Sequence, residues 1–313
     1  MSQMLIKAKV PVISIGNISF GGTGKTPFAI YICQFLKELG HNPAVIGRGY
    51  KRKNKNDIVL SDGKNILADA AAGGDEMLLI AKRCNVPVFV GKSKSELISK
   101  MNNNDEIINY NYNFDCIVID DGFQHRRLHR DFDIVLLDKK SITSLFKRES
   151  LKSLERADLI VCSNDLTKEE LINNCKYKIK KIITAKRKYN LPYNLFSDNN
   201  ANLLDKNVIV LVGIAKPNRF IESVIHNAAD VLKYRDHHYY TENDILKIIN
   251  KCKEKKCSII ATTEKDAMKL ISYKKFFIQN NVDVIVHPID IELEKVDKDS
   301  LKETLLKMCE SCN

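Results

Sequence analysis

Val12–Thr26 reads VISIGNISFGGTGKT, and it decides the fold class. The apolar run Val12-Ile13-Ser14-Ile15 predicts a buried strand. A glycine-rich turn follows and ends in Gly24-Lys25-Thr26. The amphipathic run FAIYICQFLKEL after it predicts a helix. Strand, glycine loop, GKT and helix in this order make a phosphate loop rather than a chance match. Gly21, Gly22, Thr23 and Gly24 let backbone N–H groups turn inward around phosphate oxygens, and the helix start adds partial positive charge. Lys25 is placed for the β/γ-phosphates of a nucleotide such as ATP, and Thr26 for Mg²⁺. The usual first glycine of the motif is Ser19 here.

Outward from the loop, apolar runs alternate with helical periods. Strands are predicted at 43–47, 86–90, 116–119, 134–137 and 159–162, and helices at 75–84 and 93–101. Asn102–Asn113 reads as an Asn/Tyr-rich surface loop. Such alternation predicts a parallel sheet covered on both faces. The basic, extended segment 176–195 reads as a hinge. A second α/β set follows, with strands at 208–214, 231–234, 258–263 and 282–288 and helices after Pro217, at 242–254 and at 264–270. The expected organisation is a nucleotide-binding and catalytic domain over 1–175, a hinge over 176–200 and a smaller α/β domain over 201–313.

The 313 residues exceed one average domain, and 44% hydrophobic content suffices for a sizeable core. A net charge of +11 favours anionic partners: nucleic acid, anionic lipid or phosphorylated substrate. Nine cysteines show no disulfide-framework spacing, and the N-terminus carries no secretory h-region, so a reducing cytoplasm is expected. Cys252, Cys257, Cys309 and Cys312 are too irregularly spaced to favour zinc. No apolar run is long enough to span a bilayer.

Asp120-Asp121 closes the buried strand CIVI, where a carboxylate beside a phosphate loop holds Mg²⁺. Gly74-Asp75-Glu76 opens a predicted helix and, on its own residues, reads as a cap with a favourable dipole. In Asp236-His237-His238, a histidine beside an aspartate can orient a base. Gln124–Arg130, QHRRLHR, reads either as a solvated basic face or as an anion site close to the aspartates. Asn54–Asp57, NKND, mimics a guanine-reading motif but stands too close to the loop and lacks a DxxG companion.

Taken together, GN-(x)3-GGTGKTP at 16–27, GRGY at 47–50, GDE at 74–76, DDGFQHRRLHRDFDIVLLD at 120–138, RES-L-(x)4-RAD at 148–158, GIAKPNRF at 213–220, DHH at 236–238 and TTEKDAMKL at 262–270 resemble the tetraacyldisaccharide 4′-kinases of Gram-negative bacteria. The resemblance runs from about residue 10 to 290. It implies two α/β/α domains on a β-stranded hinge. It also implies ATP-dependent phosphorylation of the 4′-hydroxyl of a tetraacylated glucosamine disaccharide 1-phosphate, giving lipid IVA at the cytoplasmic face of the inner membrane. Asp75 is then the catalytic base, paired with His237. Asp120 and Asp121 act around the metal. Glu76, Gln124, His125, Arg148 and Glu149 support the site. The protein is expected to be a monomer, peripheral on an anionic membrane surface, with no nucleic acid partner. Only about nine residues precede the first strand, where members of this family usually carry an amphipathic helix; basic loops or a partner are expected to dock the chain instead. Met77 and Ser150 stand where prolines are common, Lys92–Lys94 where an arginine is common, and SITSLFK lacks the usual glycines before Arg148. A phosphate-loop kinase or ligase acting on a soluble metabolite, and a nucleotide-dependent partitioning or nucleic-acid-binding switch, are the competing readings; the second leaves DDGFQH and His237 without a role.

Overall fold

The computed structural model describes residues 5–103, 112–197, 207–224 and 228–310. Most of the expected 102–113 loop, and Cys312, lie outside these residues. The strands are β1 (Val12–Asn17), β2 (Pro43–Gly47), β3 (Ile58–Asp62), β4 (Pro87–Val90), β5 (Cys116–Asp120), β6 (Phe132–Leu137), β7 (Leu159–Ser163), β8 (Ile182–Tyr189), β9 (Tyr193–Asn194), β10 (Val208–Val212), β11 (Ala228–Lys233), β12 (Ile259–Thr263), β13 (Asp283–His287) and β14 (Ile289–Leu293). Among the described residues they form a nine-stranded sheet ordered β14-β8-β7-β6-β1-β5-β2-β4-β3 and a five-stranded sheet ordered β11-β10-β12-β13-β9.

The fold class is the mixed α/β architecture that the phosphate loop predicted. The centre of the larger sheet is parallel, with β1 between β5 and β6. Every residue of β1, β2, β5 and β6 is buried, which explains their near-continuous apolar sequences. Antiparallel strands finish the edges: β3 on β4, β14 on β8, and β9 on β13 in the smaller sheet. The helix Lys25–Glu38 lays Phe28, Ile32 and Leu36 into the main core, which Ala267 and Met268 of the helix Glu264–Leu270 join from the smaller unit.

Sheet membership departs from the expected 201–313 grouping. The chain leaves the larger sheet after β8 and enters the smaller one at β9. It returns at β14, whose Ile289 pairs with Tyr189, and the helix Lys295–Glu310 packs Leu301, Leu305 and Met308 into the main core. The extended segment is therefore not a bare linker, since β8 pairs with β7 as part of the larger sheet. Pro288 separates β13 from β14, whereas the sequence predicts a strand ending at 288 and none over 289–293. Among the described residues, no helix is long and apolar enough to cross a membrane.

Candidate active site

Two glycines set the phosphate loop. Gly21 (φ 106°) and Gly24 (φ 97°) adopt left-handed backbone, which side-chain-bearing residues rarely take. Asn17 braces the turn by donating from Nδ2 to the Ser19 carbonyl (2.9 Å) and to Thr23 Oγ1 (3.1 Å). Gln124 Nε2 donates to the Asn17 carbonyl at 2.8 Å, so its position supports the loop from beneath. Ala215, in the loop after β10, faces Gly22, so the smaller unit overhangs the phosphate loop.

The two aspartates after β5 differ sharply. Asp121 sits at φ 54° and is gripped by cations: Arg148 Nη1 donates to its Oδ1 (2.7 Å) and Oδ2 (2.9 Å), and Lys25 Nζ lies 3.4 Å from Oδ1. Burial raises its pKa, but Lys25 and Arg148 outweigh burial and keep the carboxyl below the usual range. Asp120 is 5% exposed, and its Oδ1 has no hydrogen-bond partner. Burial, with Glu76 and Asp121 nearby, pushes its pKa far up. An orphaned, buried carboxylate oxygen at the end of β5, paired with the strand that leads into the phosphate loop, suits a divalent cation, which takes one or two protein ligands plus phosphate oxygens and water. Among the described residues no cluster of three His, Cys, Asp or Glu is arranged to hold a metal, consistent with so sparse a protein ligand set.

Asp75 and His237 meet across the two units. His237 Nδ1 lies 3.0 Å from Asp75 Oδ1 and 3.1 Å from Oδ2. An ionised carboxylate only accepts, so Nδ1 carries the proton. His237 takes φ 56°, and Tyr50 packs edge-on against its ring. Burial pushes Asp75 up, but the His237 hydrogen bond and the Lys265 and Lys269 ammoniums hold it at about 2. The neighbouring Glu76 pairs with Lys265 at 2.8 Å. Two glycine contacts allow this: a Cβ on Gly74 would stand 2.9 Å from Gly49 Cα, and one on Gly49 would stand 2.5 Å from the Gly73 carbonyl. The GRGY turn and the GDE helix start thus lie backbone to backbone.

Glu149 holds Arg156 (2.9 Å) and Arg126 (3.0 Å), clamping the segment that carries Arg148. His125 accepts from Lys94 Nζ at Nε2 (3.1 Å), and burial with Lys94 nearby lowers its pKa to about 4. Sequence reasoning missed Lys94, which is 1% exposed, also donates to the Asp121 carbonyl, and is pushed down by burial to about 8. A short basic run, Lys92-Ser93-Lys94, hid it. Lys265 and Lys269 were missed too, although their i,i+4 spacing in TTEKDAMKL puts both on one helix face.

Other readings fall differently. Arg130 bonds Asp133 and the carbonyls of His125 and Leu128, so the QHRRLHR run is partly internal bracing. Arg52 is buried and donates to the Asn56 and Lys55 carbonyls. Asp57 of the NKND stretch pairs with Lys100. His238 pairs with Asp244, away from Asp75.

The model for the tetraacyldisaccharide-1-P 4′-kinases matches residues 3–310. The chain belongs to this family. It is 34% identical to the tetraacyldisaccharide 4′-kinase of Halothermothrix orenii, over 90% of this chain and 80% of that one, and 33% identical to that of Syntrophus aciditrophicus, over 84% and 76%. The crystal structure of the Aquifex aeolicus member LpxK in complex with ATP aligns with a TM-score of 0.71 at 28% identity. That alignment covers 97% of this chain and 90% of the other. The matched residues 3–310 include the returning β14 and the helix Lys295–Glu310.

Proposed function

We propose that this chain transfers the γ-phosphate of ATP to the 4′-hydroxyl of a tetraacylated glucosamine disaccharide 1-phosphate, yielding lipid IVA. Family membership supports the reaction, and one observation carries the assignment of roles. A carboxylate–imidazole pair, Asp75–His237, spans the two units.

Backbone N–H groups of residues 21–24 and Lys25 hold the nucleotide phosphates. Thr26 and Asp120 would hold Mg²⁺, which would supply positive charge to offset that of the nucleotide phosphates. Asp121 keeps Lys25 and Arg148 aligned, so the Arg148 guanidinium is held in place to meet charge that develops on the transferred group. Asp75 receives the hydroxyl proton. A carboxylate held at about 2 is a weak base, so its contribution is chiefly positional: it accepts a hydrogen bond from the 4′-hydroxyl and aims the oxygen at phosphorus. His237 fixes the carboxylate's orientation, while Lys265 and Lys269 keep it ionised. The paired passages β8–β9 and β13–β14 serve as the hinge about which the units close on substrate. The protein works as a monomer, peripheral on the cytoplasmic face of the inner membrane, where its positive charge meets anionic lipid.

The test is transfer of label from γ-labelled ATP to the purified disaccharide 1-phosphate in mixed micelles. Wild type should give the 4′-phosphorylated lipid and Lys25→Ala none. Transfer to a water-soluble sugar with none to the lipid would sink the proposal in favour of a metabolite kinase.

A further inference from the structure

Leu145 and Phe146 are 96% and 85% exposed, two consecutive large apolar side chains standing clear of the surface. They form the tip of the loop between the short helix Lys139–Thr143 and Arg148. The tip closes on itself: the Phe146 N–H donates to Ser144 Oγ (3.2 Å), and that hydroxyl donates to the Phe146 carbonyl (3.1 Å).

Both roots of the loop are tied to the strand end that feeds the phosphate loop. Ser141 Oγ and Ser19 Oγ lie 3.0 Å apart, Lys147 bridges Ser19, and the Arg148 N–H donates to the Ile18 carbonyl at 2.7 Å. Phe20, also exposed, stacks beneath the Arg148 guanidinium. Lys140 and Lys147 flank the tip along the chain, while Lys139 pairs with Glu170 and Arg126 with Glu149. An exposed Leu-Phe pair costs solubility and contributes nothing to the core. Exposed apolar side chains flanked by lysines on a chain of net charge +11 match an anionic bilayer, where the charges meet headgroups and the side chains enter the acyl boundary.

We infer that Leu145–Phe146 is a membrane-inserting tip that seats the mouth of the phosphate-transfer site on an anionic bilayer. The inference rests on the lipid-kinase reading and adds the point of contact. Because the tip is hydrogen-bonded to residues 18 and 19, its insertion fixes the height and tilt of the phosphate loop above the headgroups. A 4′-hydroxyl projecting from a lipid substrate then meets the site without the substrate leaving the membrane.

The chain has no tryptophan, so Phe146→Trp creates a single fluorescent reporter. With vesicles of mixed phosphatidylcholine and phosphatidylglycerol, its emission should shift blue and be quenched by lipids brominated on the acyl chain. Leu145→Ser/Phe146→Ser should lower vesicle partitioning by roughly tenfold or more, the effect of withdrawing two large side chains from the acyl boundary. Its melting temperature and ATP binding should be unchanged, and its transfer to micellar substrate should suffer through KM rather than kcat. If wild type co-sediments with anionic vesicles while the reporter neither shifts nor is quenched, the tip is not the contact and only this inference falls. If wild type sediments with no vesicles, the membrane reading falls with it. A shift seen only with substrate micelles would assign the tip to the substrate's acyl chains and overturn the bilayer as its occupant.

Discussion

Asp75 and His237 share one hydrogen bond, so their losses should not multiply. Asp75→Ala should lower kcat by roughly 10²- to 10⁴-fold, the usual range for a positioned acid–base group. The double variant with His237→Ala should lose far less than the product of the single losses; steady-state rates of the four proteins decide it, and strict additivity would separate the two residues mechanistically. The same pair has an acid signature. Asp75 lies at about 2 folded against roughly 3.9 unfolded. Its contribution is therefore complete above pH of about 4 and is lost as pH falls through 2. Melting curves across that window should fall less steeply for Asp75→Asn than for wild type. Asp120 behaves in the opposite sense. Its charge is buried, unpartnered and repelled by Glu76 and Asp121, so Asp120→Asn should stabilise the nucleotide-free protein by about 1 kcal/mol while abolishing transfer. Scanning calorimetry beside the label-transfer assay reads both. The sequence shows Asp120 and Asp121 as a matched pair; only the coordinates reveal that Arg148 takes one of them. It likewise shows Gly74-Asp75-Glu76 as an ordinary helix cap, because nothing in local patterning reports a partner 162 positions away.

At the scale of elements, the helices at 75–84, 242–254 and 264–270 fall where periodicity predicts them. Each begins at a residue that local chemistry marks: Gly74, and the Thr241 and Thr263 side chains that accept from the third helical N–H. Elements outside strong periodicity were not legible. β3, itself the edge strand, pairs irregularly on β4, and the IDIEL segment of β14 looks polar because its strand is a half-exposed sheet edge. The tightest junction between elements is the Gly49–Gly74 contact. Gly74 (φ 88°) lies in a region closed to other residues, so Gly74→Ala should cost about 1–3 kcal/mol in urea unfolding. It should also depress kcat, because Asp75 is the next residue and must move with it. Unchanged kcat in a destabilised variant would mean the GRGY turn does not set the position of Asp75.

Across the whole molecule, Arg83 bolts the two units. It donates to Glu264 at 2.5 Å and to Asp290, reaching from the helix Asp75–Cys84 to the smaller unit and to β14. Burial outweighs the guanidinium at Glu264 and leaves its carboxyl raised, so Glu264 depends on Arg83 to stay charged. Arg83→Met should cost about 3 kcal/mol by stranding that carboxylate, and adding Glu264→Gln should restore much of the loss. Denaturation of both variants checks it; equal losses in single and double variants would mean packing, not charge, does the holding. Long-range geometry of this kind is invisible in sequence, since residues 83, 264 and 290 sit in three separate motifs. The returning tail has a further consequence for biosynthesis. The phosphate loop leaves the ribosome long before β14 and the helix Lys295–Glu310, yet these finish the sheet that carries it. Until residues 289–310 arrive, β8 presents an unpaired edge and the helix Lys25–Glu38 lacks the cover of Leu301, Leu305 and Met308. A nascent or prematurely terminated chain ending near Pro288 should therefore fail first in nucleotide binding, far along the sequence from the lesion, and should be the form that chaperones and proteases meet.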